Sequence, residues 1–254
     1  MAKRQLAAQL YTVRDLTTKD FAGTLQRVAE VGYDGVELAG FGNLSAEEAA
    51  KAVKQAGLKV CGAHVGIDHL EGDLKGTLKK FALFGCENII VPWMPEDRRK
   101  NGAGWKAFAK SLNKFGAILK KEGFNIGYHN HSFEFELISK GVTGMDLLLE
   151  NTEAGIVGFE LDCFWVVHGG KCPACFIKDN ADRIMTLHLK DMSDPNERKF
   201  ANVGEGILDT RSIIKAGIKT KVPWFIVEQD NCYDQAPMEA LRISYKNIRK
   251  MDLI

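Results

Sequence analysis

The stretch Asn125-Ile126-Gly127-Tyr128-His129-Asn130-His131-Ser132-Phe133-Glu134-Phe135 decides the fold. A short, largely apolar run stops abruptly in two imidazoles and an amide, with a carboxylate just beyond, and a helical pattern follows. Apolar residues without strict polar alternation are what a strand buried on both faces presents. Polar residues gathered at the C-terminal end of such a strand are what a parallel α/β enzyme places there.

Working outward, the same unit recurs eight times. The runs are Gln5–Val13, Gly35–Ala39, Lys59–Val65, Asn88–Trp93, Asn125–His131, Val157–Trp165, Ile184–Lys190 and Trp224–Glu228. Between and after them lie helical patterns at Thr17–Val31, Leu44–Ala56, Leu74–Phe84, Gly104–Lys121, Val142–Asn151, Pro173–Asn180, Thr210–Ala216 and Met238–Met251. Ser45 followed by Glu48 has capping-box spacing, and Gly57, Gly123 and Gly217 stand where helices stop. Strict alternation of strand and helix implies a parallel sheet. The count of eight, and the lack of a Gly-x-Gly-x-x-Gly turn after the first strand, favour a closed (β/α)8 barrel over an open doubly wound sheet. The 254 residues match the typical size of about 250 for that barrel. No linker or low-complexity segment interrupts them, so residues 1–254 read as one domain.

Hydrophobic residues make up 45% and charged residues 26%, as in an ordinary globular chain. Lys and Arg number 34 against 33 Asp and Glu. A net charge of +1 gives no global attraction for nucleic acid or an acidic membrane. No apolar run approaches the roughly 20 residues of a membrane span. Met1–Leu10 is too short and polar for a secretory leader, so a cytoplasmic protein is expected. Most of the six cysteines read as small buried hydrophobes rather than a disulfide framework. Cys172-Pro173-Ala174-Cys175 lacks the second pair that a zinc site usually needs.

In a (β/α)8 barrel the chemistry sits at the C-terminal strand ends. Five of the six histidines, His64, His129, His131, His168 and His188, fall at or just after those ends, and only His69 reads as plain loop. Carboxylate oxygens joined by one imidazole suit Mn²⁺, Mg²⁺, Co²⁺ or Zn²⁺. The best candidates for one divalent ion are Glu134, Asp162, His188 and Glu228. Such an ion would hold a carbonyl and a neighbouring hydroxyl of a sugar, while Glu134 and Glu228 exchange protons with the bound carbon as the catalytic pair. Proton removal α to a carbonyl is the chemistry this set suits best.

Taken together these motifs resemble the sugar phosphate isomerase/epimerase family with the xylose isomerase-like barrel, which also contains ketose 3-epimerases, inosose dehydratases and an endonuclease for abasic sites. The resemblance spans essentially the whole chain. It rests on Gln9-Leu10-Tyr11-Thr12-Val13-Arg14, Gly35-Val36-Glu37-Leu38, Tyr128 to Phe135, Leu161-Asp162-Cys163-Phe164-Trp165, His188-Leu189-Lys190-Asp191, Val203-Gly204-Glu205-Gly206 and Val227-Glu228-Gln229-Asp230. It implies a metal held by a Glu after strand 5, an Asp after strand 6, a His after strand 7 and a Glu after strand 8, which fall on Glu134, Asp162, His188 and Glu228. It also implies that Trp165 and His168 face the sugar, that His64, His131 and Lys190 contact its hydroxyls or carbonyl, and that the Gly204–Gly206 loop runs close to ligand. One departure stands out. Ketose 3-epimerases carry the first metal Glu within strand 5, in a Glu-Pro-x-Asn-type motif. That position here is His129, and the nearest Glu is Glu134, preferred to Glu136 as the better fit to the HNHxFEF variant.

Other residues have two readings each. Glu37 is a substrate ligand or an ion-pair partner. Glu160 and Asp162 share a strand face, so if that face is the barrel interior Glu160 is expected as a group behind the site that supports a ligand. Lys190, if buried, needs an acidic partner. Trp93 and Trp165 are walls for a sugar ring or ordinary packing.

The leading functional expectation is a metal-dependent isomerase or epimerase acting on a small carbohydrate through an enediolate. The alternative is a dehydratase or lyase on a keto-sugar, cyclitol or 3-keto-glycoside, sharing the first proton abstraction and then expelling a β-oxygen. A third reading, cleavage of DNA at abasic sites, is opposed by the balanced charge. Nothing in the pattern opposes a homo-oligomer, and no strong phosphate-binding signature is present.

Overall fold

A computed structural model of the chain describes residues 5–254. Residues 1–4 lie outside that description, including the start of the Met1–Leu10 segment weighed against a leader. Eight parallel strands close into a barrel: β1 (Gln5–Gln9), β2 (Gly35–Leu38), β3 (Lys59–His64), β4 (Asn88–Val91), β5 (Asn125–His129), β6 (Val157–Asp162), β7 (Ile184–Leu189) and β8 (Trp224–Val227). They follow one another in sequence around the barrel. Closure is made at Ala7, which pairs with Gly35 on one side and Ile226 on the other. Eight helices follow them in turn: α1 (Phe21–Val31), α2 (Ala46–Gln55), α3 (Ile67–Ala82), α4 (Gly102–Lys121), α5 (Gly144–Asn151), α6 (Pro173–Asp179), α7 (Thr210–Lys219) and α8 (Pro237–Lys250). Among the described residues, no helix is long and apolar enough to cross a membrane.

Strand parity separates two buried regions. Leu6 and Ala8 of β1 join Leu25 and Val28 of α1 in the large core between strands and helices. Ala7, Cys61, Trp224 and Ile226 form a second, smaller cluster inside the barrel. Side chains alternate along a strand, so residues two beyond the inner set, such as Gln9 and Glu228, also face inward. The lower lumen is filled. A Cβ on Gly127 would lie 2.6 Å from Ile90 Cδ1, and one on Gly158 would lie 2.2 Å from Met185 Cγ. Glycine at both positions admits those side chains and leaves the polar residues stacked above them.

The strands are shorter than the apolar runs, because polar side chains end them. Gln9 accepts from the Tyr11 backbone N–H at 3.0 Å and turns the chain into the 3-10 turn Leu10–Val13. Asp162 accepts from the Trp165 N–H at 3.0 Å and caps the short helix Cys163–His168, so the expected strand to Trp165 stops at Asp162. His69, expected in a loop, lies in α3, which bends at Asp73 where the backbone leaves helical geometry. The capping box of Ser45 and Glu48 is present as expected. Cys172 and Cys175 are exposed, and the Cys172 sulfur caps α6 by accepting from the Cys175 N–H at 3.3 Å.

Candidate active site

The inward-facing ends of the strands build a polar floor beneath a cavity of about 380 Å³, lined by residues that include His64, His129, His131, Lys190, Glu228 and Asp230. Tyr11 and Trp93 stand at its mouth, 44% and 51% exposed. Apolar rings beside convergent polar groups are the usual make-up of a small-molecule site.

One donor atom each from His129, Asp162, His188 and Glu228 lie within 4.8 Å of one another. Three of these are expected ligands. Glu134 is not in the group. It is fully buried, its Oε1 accepts from the Tyr128 hydroxyl at 2.6 Å, and its Oε2 accepts from the His131 N–H at 2.8 Å. Tyr128 belongs to the outward set of β5 and packs edge-on against Phe108 of α4. Glu134 therefore stands behind the barrel wall, and His129, one residue on from Tyr128, faces the lumen in its place. Burial pushes the Glu134 carboxyl up to about 8, against the pull of its two donors. Glu136 does not join the group either.

Lys190 answers the need for an acidic partner three times. Its Nζ lies 2.8 Å from Asp162 Oδ2, 2.7 Å from Glu228 Oε2 and 2.6 Å from Asp230 Oδ1. Burial alone would lower the lysine pKa, but Asp162, Glu228 and Asp230 raise it well above its ordinary value. His188 bridges two layers, with Nδ1 2.9 Å from Glu228 Oε2 and Nε2 2.7 Å from Glu37 Oε2. Burial opposes the charged form of His64, yet Glu37 and Glu160 hold its pKa at about 10. Burial, with Lys190, pushes His131 down to about 3, so this imidazole is neutral.

The expected substrate contacts divide. His64, His131 and Lys190 line the cavity. Trp165 packs beside His131, with ring centroids 5.4 Å apart, and His168 lies one ring further out against Trp165. Glu37 lies under the floor with no exposure, bonded to Gln9 Nε2 at 2.7 Å and to His188, so its contacts are those of an ion-pair partner and it does not line the cavity. The Gly204–Gly206 loop wraps a side chain of the protein itself. Asp191 accepts from the backbone N–H groups of Gly204, Gly206 and Leu208. A Cβ on Gly206 would meet Asp191 Oδ1 at 2.3 Å. Tyr11 at the mouth and His129 in the four-donor group are not among the residues expected from sequence. Parity within Asn125–His129 was the available signal for the second.

The donor set suits a divalent cation. Two imidazoles and two carboxylates match Zn²⁺, Mn²⁺ or Co²⁺. Asp162 Oδ2 is buried and, although close to Lys190, makes no aligned hydrogen bond, so it has unused capacity.

The family model for xylose isomerase-like TIM barrels matches residues 25–251. A relative from Geobacillus kaustophilus named inosose dehydratase is 25% identical over 239 residues, covering 85% of this chain and 73% of its own length. Two further relatives with that name match about half of this chain, which spans less than half of their length. A sugar phosphate isomerase/epimerase from Parabacteroides distasonis has the same fold, with a TM-score of 0.84 at 24% identity over 98% of each chain. The IolI protein, solved with a bound zinc atom, has a TM-score of 0.75 at 14% identity over 98% of this chain and 99% of that one. The match of sequence, closed barrel and strand-end site makes this chain a member of the xylose isomerase-like TIM barrel family.

Proposed function

We propose that this chain is a dehydratase of a keto-cyclitol or keto-sugar, removing a proton α to the carbonyl and expelling the β-hydroxyl as water. This reverses the order of the two leading readings from sequence. The observation behind it is the placement of Glu134. Epimerisation needs proton-handling groups on both faces of the reacting carbon, and the glutamate expected on the second face is turned behind the wall. Glu228 is the one of that pair lining the cavity. A syn elimination, in which one carboxyl serves both the α-carbon and the β-oxygen, requires no second face. The relative named inosose dehydratase supports the same choice.

His129, Asp162, His188 and Glu228 would hold one divalent ion. That ion would supply Lewis-acid polarisation of the carbonyl, which eases loss of the neighbouring proton. The chain's own residues do the rest. Glu228 takes the α-proton as the C–H bond breaks and the carbon–carbon double bond forms. The same carboxyl returns the proton to the β-oxygen as the C–O bond breaks, so one water leaves and no net proton is taken. Lys190, 2.7 Å from Glu228 Oε2, steadies the carboxylate and neutralises charge that develops on oxygen. His64 and His131 orient ring hydroxyls, with Tyr11 and Trp93 as walls at the mouth.

Product mass tests this reading. Metal-loaded protein given a keto-inositol should yield a product lighter by one water, with a new conjugated absorbance. A product of unchanged mass would return the isomerase reading, and an unaltered substrate would remove keto-cyclitols from the substrate class.

A further inference from the structure

We propose that Glu160 is a positioning residue that sets the tautomer of His129 and, together with Glu37, that of His188, turning lone pairs of both histidines toward the cation. This inference rests on the four-donor metal reading above.

Glu160 is fully buried on β6, two residues below Asp162 on the same inward face. Its Oε1 lies 2.8 Å from His64 Nε2, 3.1 Å from His129 Nδ1 and 3.0 Å from His188 Nε2. Its Oε2 accepts from the Thr186 hydroxyl at 2.8 Å. The register irregularity between Phe159 and Glu160 brings Thr186 opposite the glutamate. One carboxylate thus gathers three imidazoles from β3, β5 and β7.

An ionised carboxylate only accepts, so a nitrogen that bonds to it must carry the hydrogen. A neutral imidazole has one N–H and one lone pair. With Nδ1–H of His129 directed at Glu160, the lone pair sits on Nε2, the atom 3.7 Å from Asp162 Oδ2. With Nε2–H of His188 donated to Glu37 Oε2 at 2.7 Å, and Glu160 Oε1 3.0 Å from the same nitrogen, the lone pair sits on Nδ1, the atom 2.9 Å from Glu228 Oε2. Both lone pairs therefore face the other two members of the four-donor group. The two histidines use opposite nitrogens, and Glu160 stands against the N–H side of both, accepting from His129 and sharing that side of His188 with Glu37. Carboxylates behind ligating histidines orient the ring and raise its basicity.

The same residues offer a rival arrangement. Donors of His64, His129, Glu160 and His188 also lie within 4.8 Å of one another, so Glu160 would be a ligand if the ion sat one layer lower. The experiment separates the two. Metal-free protein is titrated with Co²⁺, following the visible spectrum and stoichiometry, and Zn²⁺ affinity is measured by competition with a chelator. Wild type should take up one equivalent. Glu160→Gln should still take up one equivalent, with affinity weaker by about 10–100-fold and a shifted Co²⁺ spectrum. Thr186→Val removes only the donor to Oε2 and should weaken affinity by less than Glu160→Gln, which covers the case in which the glutamate variant does not fold. Wild-type affinity and spectrum in both variants would overturn the positioning role. Complete loss of binding in a folded Glu160→Gln protein, or a second equivalent in wild type that the variant lacks, would overturn it in favour of a ligand role. A wild type that binds no ion would overturn the metal reading itself, and this inference with it.

Discussion

The Tyr128 hydroxyl donates to Glu134 Oε1 at 2.6 Å, and that bond holds the glutamate on the helix side of the barrel wall. The chain passes from β5 through His131 into the 3-10 turn Phe133–Phe135, which folds Glu134 back under the strand end. The His131 N–H closes the loop at 2.8 Å. The two bonds to Glu134 tie together the segment that carries His129 and His131.

Glu134→Gln should leave metal uptake intact at one equivalent per chain. His129→Ala and Asp162→Asn should each lose it or weaken it severely. Metal analysis after gel filtration checks the contrast. Loss of metal in Glu134→Gln with the other two unaffected would restore Glu134 as the ligand.

Tyr128→Phe should cost about 1–3 kcal/mol at neutral pH, because a buried carboxyl loses a donor. The pH dependence has a definite sign. Burial raises the folded-state pKa of Glu134 to about 8, so the fold favours the protonated form. That contribution to stability is present below the ordinary carboxylate range and is lost as pH rises toward about 8. The penalty of Tyr128→Phe should grow in the same direction, since a bond to an ionised group is the stronger one. Urea unfolding at pH 5 and pH 8 measures both effects.

Lys190→Met removes the one ammonium shared by Asp162, Glu228 and Asp230. Breaking a buried ion pair costs about 3–5 kcal/mol, so metal-free protein should be markedly less stable. A bound cation replaces the missing charge, and ligand that binds only the folded state stabilises it. Added Zn²⁺ should therefore raise the melting temperature of Lys190→Met by more than that of wild type. Turnover should still fall by about 100-fold or more, because the proton-handling carboxylate loses its partner.

Gly206→Ala should destabilise the loop after β7 by about 1–3 kcal/mol, an overpacking cost. The added methyl meets both Asp191 Oδ1 and the Met192 carbonyl oxygen at 2.3 Å. Thermal unfolding checks it.

Much of the barrel was legible because its signal is local. Apolar runs, capping residues such as Ser45 and stop glycines such as Gly57 each sit within a few residues of the feature they determine. Strand ends were read too long where a side chain turns the chain by a single bond, as Gln9 and Asp162 do. That Asp162, His188 and Glu228 come together was legible because they stand at strand ends on the inward face. The place of Glu134 behind the wall was not legible, because parity carries no information once the chain leaves β5 for a 3-10 turn. The gathering of His64, His129 and His188 on Glu160 depends on three strands meeting, which no single stretch displays.

The proposed metal site is completed by His129, and not Glu134, with Asp162, His188 and Glu228. Anomalous diffraction at the zinc edge from metal-soaked crystals tests it most directly. One peak is expected, within bonding distance of those four side chains. A peak bonded to Glu134, or one centred among His64, His129, Glu160 and His188, would contradict it.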